Sequence, residues 1–165
     1  MKNSRDSLLA VGVCTLVCLT LLSAYAQDTK PNPYVGTWNL NLAKSDFGKM
    51  PASHIPKSET LVIMAGNSDD DRKFTLRGVG ADGKPFQMSF DGAADDKPHP
   101  TTGDPDGGSF AFLKSGGWEA RDKSGNVVET GTSSVSDDGK TLTNKAVHKT
   151  PDGDMTTTMV YDKVK

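Results

Sequence analysis

Arg72-Lys73-Phe74-Thr75-Leu76-Arg77-Gly78-Val79-Gly80-Ala81-Asp82-Gly83-Lys84-Pro85-Phe86-Gln87-Met88-Ser89-Phe90-Asp91 contains two alternating runs joined by a turn. Phe74 and Leu76 fall on one face of the first run, with Lys73, Thr75 and Arg77 on the other. Phe86, Met88 and Phe90 fall on one face of the second, with Gln87 and Ser89 opposite. Period-2 alternation is the mark of a half-buried strand, because successive side chains leave a pleated strand on opposite faces. Asp82-Gly83 between them tolerates the positive φ of a tight hairpin corner. The stretch therefore predicts an antiparallel hairpin with one apolar face.

The same pattern continues outward. Further strands are expected at Tyr34 to Leu42, Glu59 to Met64, Ser109 to Lys114, Gly117 to Arg121, Val127 to Ser136, Thr141 to Lys149 and Met155 to Val164. Ser124-Gly125, Asp138-Gly139 and Asp152-Gly153 repeat the turn chemistry, and Asp69-Asp70-Asp71 reads as an exposed turn. No window keeps apolar residues at helical spacing for three turns. The expected fold is all-β, an antiparallel meander of about eight or nine strands. Such a meander leaves two open edges unless it closes into an up-and-down barrel. Gly92 to Gly108 carries three prolines and no apolar residue larger than Ala. It reads as a long loop, with Asp95 to Asp106 expected at the mouth of the barrel.

The first 26 residues have the order of a signal peptide: basic Lys2 and Arg5, an uncharged run of 15 residues from Leu8 to Leu22, and the small-residue site Ala24-Tyr25-Ala26. The run is shorter than the roughly 20 residues of a membrane-spanning helix. Cys14 and Cys18 each follow a valine, which does not suit a lipoprotein anchor. The expected mature chain starts at Gln27, has a flexible tail over residues 27–33 and one domain over residues 34–165. It contains no cysteine, hence no disulfide and no thiolate metal site. Export leads to the periplasm or the medium. Among its 139 residues are 17 basic and 20 acidic side chains without a basic cluster. That excludes nucleic acid and anionic membrane surfaces as natural partners, and no span of the membrane is expected in the mature chain.

Alternate residues of a barrel point inward. Phe74, Phe86, Met88, Phe90, Phe110, Phe112, Trp118 and Tyr161 are the candidate lining of an apolar binding cavity, and equally the candidate core of a filled barrel. The last three strands differ. Thr130, Thr132, Ser133, Ser134, Thr143, Asn144, His148, Thr156, Thr157 and Thr158 are too small and polar to fill an interior. Either one interior wall is polar, or these strands face solvent, which the good strand propensity of Thr favours.

His54, His99 and His148 have no accompanying nucleophile elbow or metal-binding spacing. No catalytic residue and no metal or other cofactor is assigned. An enzyme would need two titratable groups within hydrogen-bond reach inside the cavity, with His148 as the strand-borne histidine. Asp104-Pro105-Asp106-Gly107, with Asp95 and Asp96, offers oxygen ligands but lacks the spacing of a calcium loop.

Gly36-Thr37-Trp38-Asn39-Leu40-Asn41, followed by Ala43-Lys44-Ser45-Asp46-Phe47, resembles the opening G-T-W-x-L-N-x-x-K-S-x-F of the bacterial lipocalin-like proteins, small exported domains. Gly80 to Pro85, Thr102 to Pro105, Val135 to Thr143 and Val160 to Lys163 agree in style, so the likeness spans the mature chain. The resemblance implies a calycin-type barrel in which Trp38 crosses one end as a structural plug. It also implies a small apolar molecule as ligand, the alternative being an envelope protein that acts through its surface. The chain departs from lipocalins proper in having no clear C-terminal helix and no disulfide.

Overall fold

The structure is a computed structural model and describes residues 31–104 and 107–165. The leader expected over residues 1–26 lies outside the described residues, as do Pro105 and Asp106. Ten strands follow in chain order: β1 Gly36–Leu40, β2 Ser58–Met64, β3 Asp71–Val79, β4 Pro85–Ala93, β5 His99–Thr102, β6 Ser109–Phe112, β7 Trp118–Arg121, β8 Val127–Val135, β9 Thr141–Thr150 and β10 Gly153–Lys163. A single turn of 3-10 helix, Ala52–His54, lies in the β1–β2 connection. Each strand pairs antiparallel with the next, and β1 pairs with both β2 and β10, so the meander closes on itself. Among the described residues every strand has a neighbour on both sides, which is why a chain with so little helix can dispense with other cover.

The hairpin of residues 72–91 forms as its alternation predicts. Phe74 faces Phe90, Thr75 faces Ser89 and Leu76 faces Met88 across β3 and β4. Gly83 takes φ +84° at the corner, where an L side chain would be strained, and the Asp82 carboxylate accepts the Lys84 amide at 2.9 Å. Asp71 is already the first residue of β3. Its carboxylate accepts the amides of Asn67 and Ser68, which hold it below the usual carboxylate range.

One strand departs from the sequence reading. The segment read as a loop from Gly92 to Gly108 contains β5, which joins β4 through Ser89 and Phe90 and β6 through Ser109 and Phe110. Pro98 and Pro100 flank its first residue and lack the N–H of a ladder. No large side chain marks it either, so local pattern could not reveal it. It is a strand because β4 and β6 present their free groups on either side. Its passage along the wall puts Asp95 and Asp96 at one end of the barrel and Asp104 at the other.

The core lies in two clusters. Trp38, Leu61, Leu142 and Tyr161 form the first, and Trp118, Ala120 and Ala146 the second. Trp38 has no exposed surface, and its Nε1–H donates to the Tyr34 carbonyl at 2.8 Å. The Lys163 ammonium sits 4.8 Å from the centre of its ring, within range of a cation–π attraction. In the second cluster, Trp118 lies directly across from Gly131. A Cβ at Gly131 would stand 2.3 Å from Trp118 Cζ2 and 2.8 Å from the Lys145 carbonyl oxygen. Gly131→Ala is therefore expected to destabilise the barrel by about 1–3 kcal/mol through overpacking, read as a lower urea midpoint at unchanged slope.

Candidate ligand-binding cavity

Through the ring and out to its rims runs an open cavity of about 1240 Å³, above the roughly 300–1,000 Å³ of ordinary small-molecule sites. The barrel is hollow, and its interior has two characters. On β3, β4, β6 and β7 it is apolar. Phe74 stacks on Phe90 with centroids 5.4 Å apart, meets Phe110 edge-on at 5.7 Å, and Phe110 lies 5.5 Å from Trp118. Offset and edge-to-face pairs of this kind hold their rings rigidly.

Of the eight side chains expected to line a cavity, Phe74, Met88, Phe110, Phe112, Trp118 and Tyr161 do so. Phe86 and Phe90 do not. Phe90 is 2% exposed and packs behind the lining, against Phe74, Phe112 and His99. Phe86 lies opposite Gly78, and its ring tip fills the space where a Cβ at Gly78 would be. Trp38 likewise stays out of the cavity lining. Nor does the segment from Asp95 to Asp106 sit together at one mouth: Asp104 reaches the cavity, whereas Asp95 and Asp96 do not. Asp95 instead accepts from or pairs with His99 Nε2 at 2.9 Å, and Asp96 accepts the Lys114 amide.

The opposite wall, on β2, β8, β9 and β10, sets polar side chains among Leu61, Ile63, Leu142 and Met159. Glu59, Glu129, Asn144, His148 and Tyr161 reach the cavity. The Tyr161 hydroxyl donates to Glu59 Oε1 at 2.5 Å. His148 Nε2 lies 3.0 Å from Thr157 Oγ1, and its Nδ1 lies 3.6 Å from Glu129 Oε2, longer than a sound hydrogen bond. The Asn144 side chain also reaches the Tyr161 hydroxyl. Its Oδ1 is buried and has no hydrogen-bond partner among the described residues. Ahead of Glu129, β8 carries a bulge: Ala120 faces Glu129 and Arg121 faces Val127, leaving Val128 as the extra residue. A bulge re-aims the side chains beside it.

Burial governs the charges here. It raises the pKa of Glu59, partly offset by the hydrogen bond from Tyr161. Burial, then the charge of Glu59, pushes Glu129 up to about 7. Burial lowers His148, and it raises Tyr161 well above its usual range, with Glu59 adding to the effect. Desolvation thus keeps His148 neutral and favours the acid form of Glu129, so their contact is not an ion pair near neutral pH.

These polar residues were within reach of the pattern. In β2 the inward Leu61 and Ile63 place Glu59 on the same face, and in β9 the inward Leu142 and Ala146 do so for Asn144 and His148. Thr132, Ser134 and Thr156 are exposed, as their strand propensity favours, whereas Thr157 is 1% exposed. Both expectations for the last three strands hold, each on its own face. Among the described residues no three metal-ligating side chains come together.

Fold and site together define a hollow antiparallel barrel with an interior that is aromatic on one side and acidic and hydrogen-bonding on the other. Neither a protein-family model nor a curated protein matches the chain. Among solved structures it is similar to zebrafish ileal bile acid-binding protein complexed with cholic acid, at 12% identity and a TM-score of 0.49, over 81% of this chain and 100% of that one.

Proposed function

We propose that this chain is an exported lipocalin-like protein that binds a small, largely apolar molecule inside its barrel. The observation that carries this reading is the cavity of about 1240 Å³ walled by Phe74, Phe110, Phe112 and Trp118. A barrel serving only as a surface module would gain stability by filling such a volume. The Glu59–Tyr161 contact also meets the geometric condition for acid–base chemistry. Catalysis is the second reading, because Tyr161 spends its proton on Glu59 and His148 is turned to Thr157, which leaves no nucleophile activated.

The test uses the full chain expressed in an exporting host. Native mass spectrometry is expected to show a chain beginning at Gln27 that carries one organic molecule. After extraction, the empty protein is expected to take up one environment-sensitive apolar dye per chain. Trp118→Ala is expected to weaken dye binding about tenfold, given the apolar area a tryptophan contributes. A folded protein that takes up neither molecule nor dye would overturn the binding reading.

A further inference from the structure

Resting on the binding reading above, the polar wall specifies the ligand further. Its hydrogen-bonding capacity is one-sided. Glu59 and Glu129 are acceptors when ionised, and Asn144 Oδ1 is a buried acceptor without a partner among the described residues. Of the donors nearby, the Tyr161 hydroxyl is given to Glu59, the Asn144 side chain also reaches that hydroxyl, and His148 Nε2 is in contact with Thr157. Among the described residues no lysine or arginine pairs with either glutamate, and the nearest approach is the neutral His148.

The lysines and arginines of the cavity lie at its two rims, and three of them are engaged there. Arg72 donates to the carbonyls of Asp69 and Asp71, Lys73 pairs with Asp91, and Arg121 binds Glu119 and the Gly125 carbonyl. Lys123 lies in the turn after β7. Arg121 Nε is a buried donor without a partner among the described residues, but it belongs to that rim-bound guanidinium. The interior proper is therefore short of positive charge, and the donors closest to the two glutamates are engaged. A fold retains two desolvated carboxylates at a cost in stability, and sites that do so are enriched in binding and catalysis.

We propose that the ligand is an amphiphile with a protonated amino group, which seats between Glu59, Glu129 and Asn144 Oδ1 while its apolar body lies against Phe74, Phe110, Phe112 and Trp118. An ammonium offers three donors and a positive charge, and so meets all three acceptors at once. A ligand carboxylate would place its negative charge beside two glutamates in a low-dielectric site, and a neutral hydroxyl could satisfy one acceptor only. Aromatic walls add attraction for a cation.

The test compares three molecules with one tail, octylammonium, octanoate and octanol, by titration calorimetry at pH 8, above the value of about 7 to which burial raises Glu129 and where the amine is protonated. Octylammonium is expected to bind at least about tenfold tighter than octanoate. The Glu59→Gln/Glu129→Gln double variant, checked for its β-barrel circular dichroism, is expected to lose that preference and keep its affinity for octanol. Octanoate binding as tightly as octylammonium, or a preference that survives the double substitution, would overturn the proposal. If an apolar dye binds but no head-group preference appears, or none of the three displaces it, the amine falls and the cavity reading stands. If neither dye nor any of the three binds, both fall.

Discussion

Glu129→Gln is expected to stabilise the barrel by about 3 kcal/mol above pH 7 and to leave it unchanged near pH 4. The folded pKa of Glu129, about 7, lies above the ordinary glutamate value of 4.5. Between those values the folded state holds a proton that the unfolded state has released, so the unfolded state binds fewer protons and stability falls as pH rises. The loss begins near pH 4.5 and levels off above pH 7. An amide in place of the carboxyl keeps the shape of the neutral acid and removes this loss. Glu59 on β2 is shifted the same way by burial. His148 on β9 is shifted down, and so contributes in the opposite sense: its folded form binds fewer protons, and stability falls as pH drops below its unfolded value. Tyr161 on β10 stays protonated throughout. Asp71, Asp82, Asp122 and Asp138, shifted down by hydrogen bonds, lose their contribution only in acid. Because these groups are common to both proteins, the difference between the urea stability curves of variant and wild type reports Glu129 together with its coupling to Glu59. A difference that stays flat from pH 4 to 8 would show that the carboxyl is solvated in the folded state.

Trp38→Ala is expected to cost about 3–5 kcal/mol, a large share of the roughly 5–15 kcal/mol that holds a domain of this size together. The indole is completely buried between Leu61, Leu142 and Tyr161, where β1, β2, β9 and β10 meet. Its removal leaves a cavity that the closed ring cannot collapse to fill, and it orphans the Tyr34 carbonyl. Trp38→Phe keeps most of the volume and loses the hydrogen bond, so a smaller cost, about 1–2 kcal/mol, is expected. Since Trp38 does not line the cavity, dye binding per folded molecule is expected to be unchanged in either variant. Trp118→Ala, by contrast, is expected to lower affinity. The pair of measurements separates the tryptophan that closes the barrel from the one that faces its contents.

Much of the architecture was legible in the chain. Phe74 and Leu76, then Phe86, Met88 and Phe90, each two residues apart around an Asp-Gly corner, admit a strand hairpin and little else. Six of the eight side chains picked for the cavity line it. The two that do not, Phe86 and Phe90, have the same inward parity as Met88, and only the curvature of the sheet separates wall from lining: Phe90 is drawn in behind Phe74, and Phe86 tucks over the bare backbone of Gly78. β5 escaped because a strand can be imposed by neighbours on a segment with little propensity of its own.

What the sequence determined alone is the antiparallel meander, its turns and the apolar face, since all three follow from nearest-neighbour stereochemistry and the two-residue period of a pleated strand. Three matters were decided only by the tertiary structure: that the barrel is hollow, that Glu59 of β2 meets Tyr161 of β10, and that both share their wall with Glu129 of β8. Each depends on closure of the ring between β1 and its two neighbours. Closure sets the interior volume and brings together residues more than 60 positions apart, distances over which a periodic pattern carries no information.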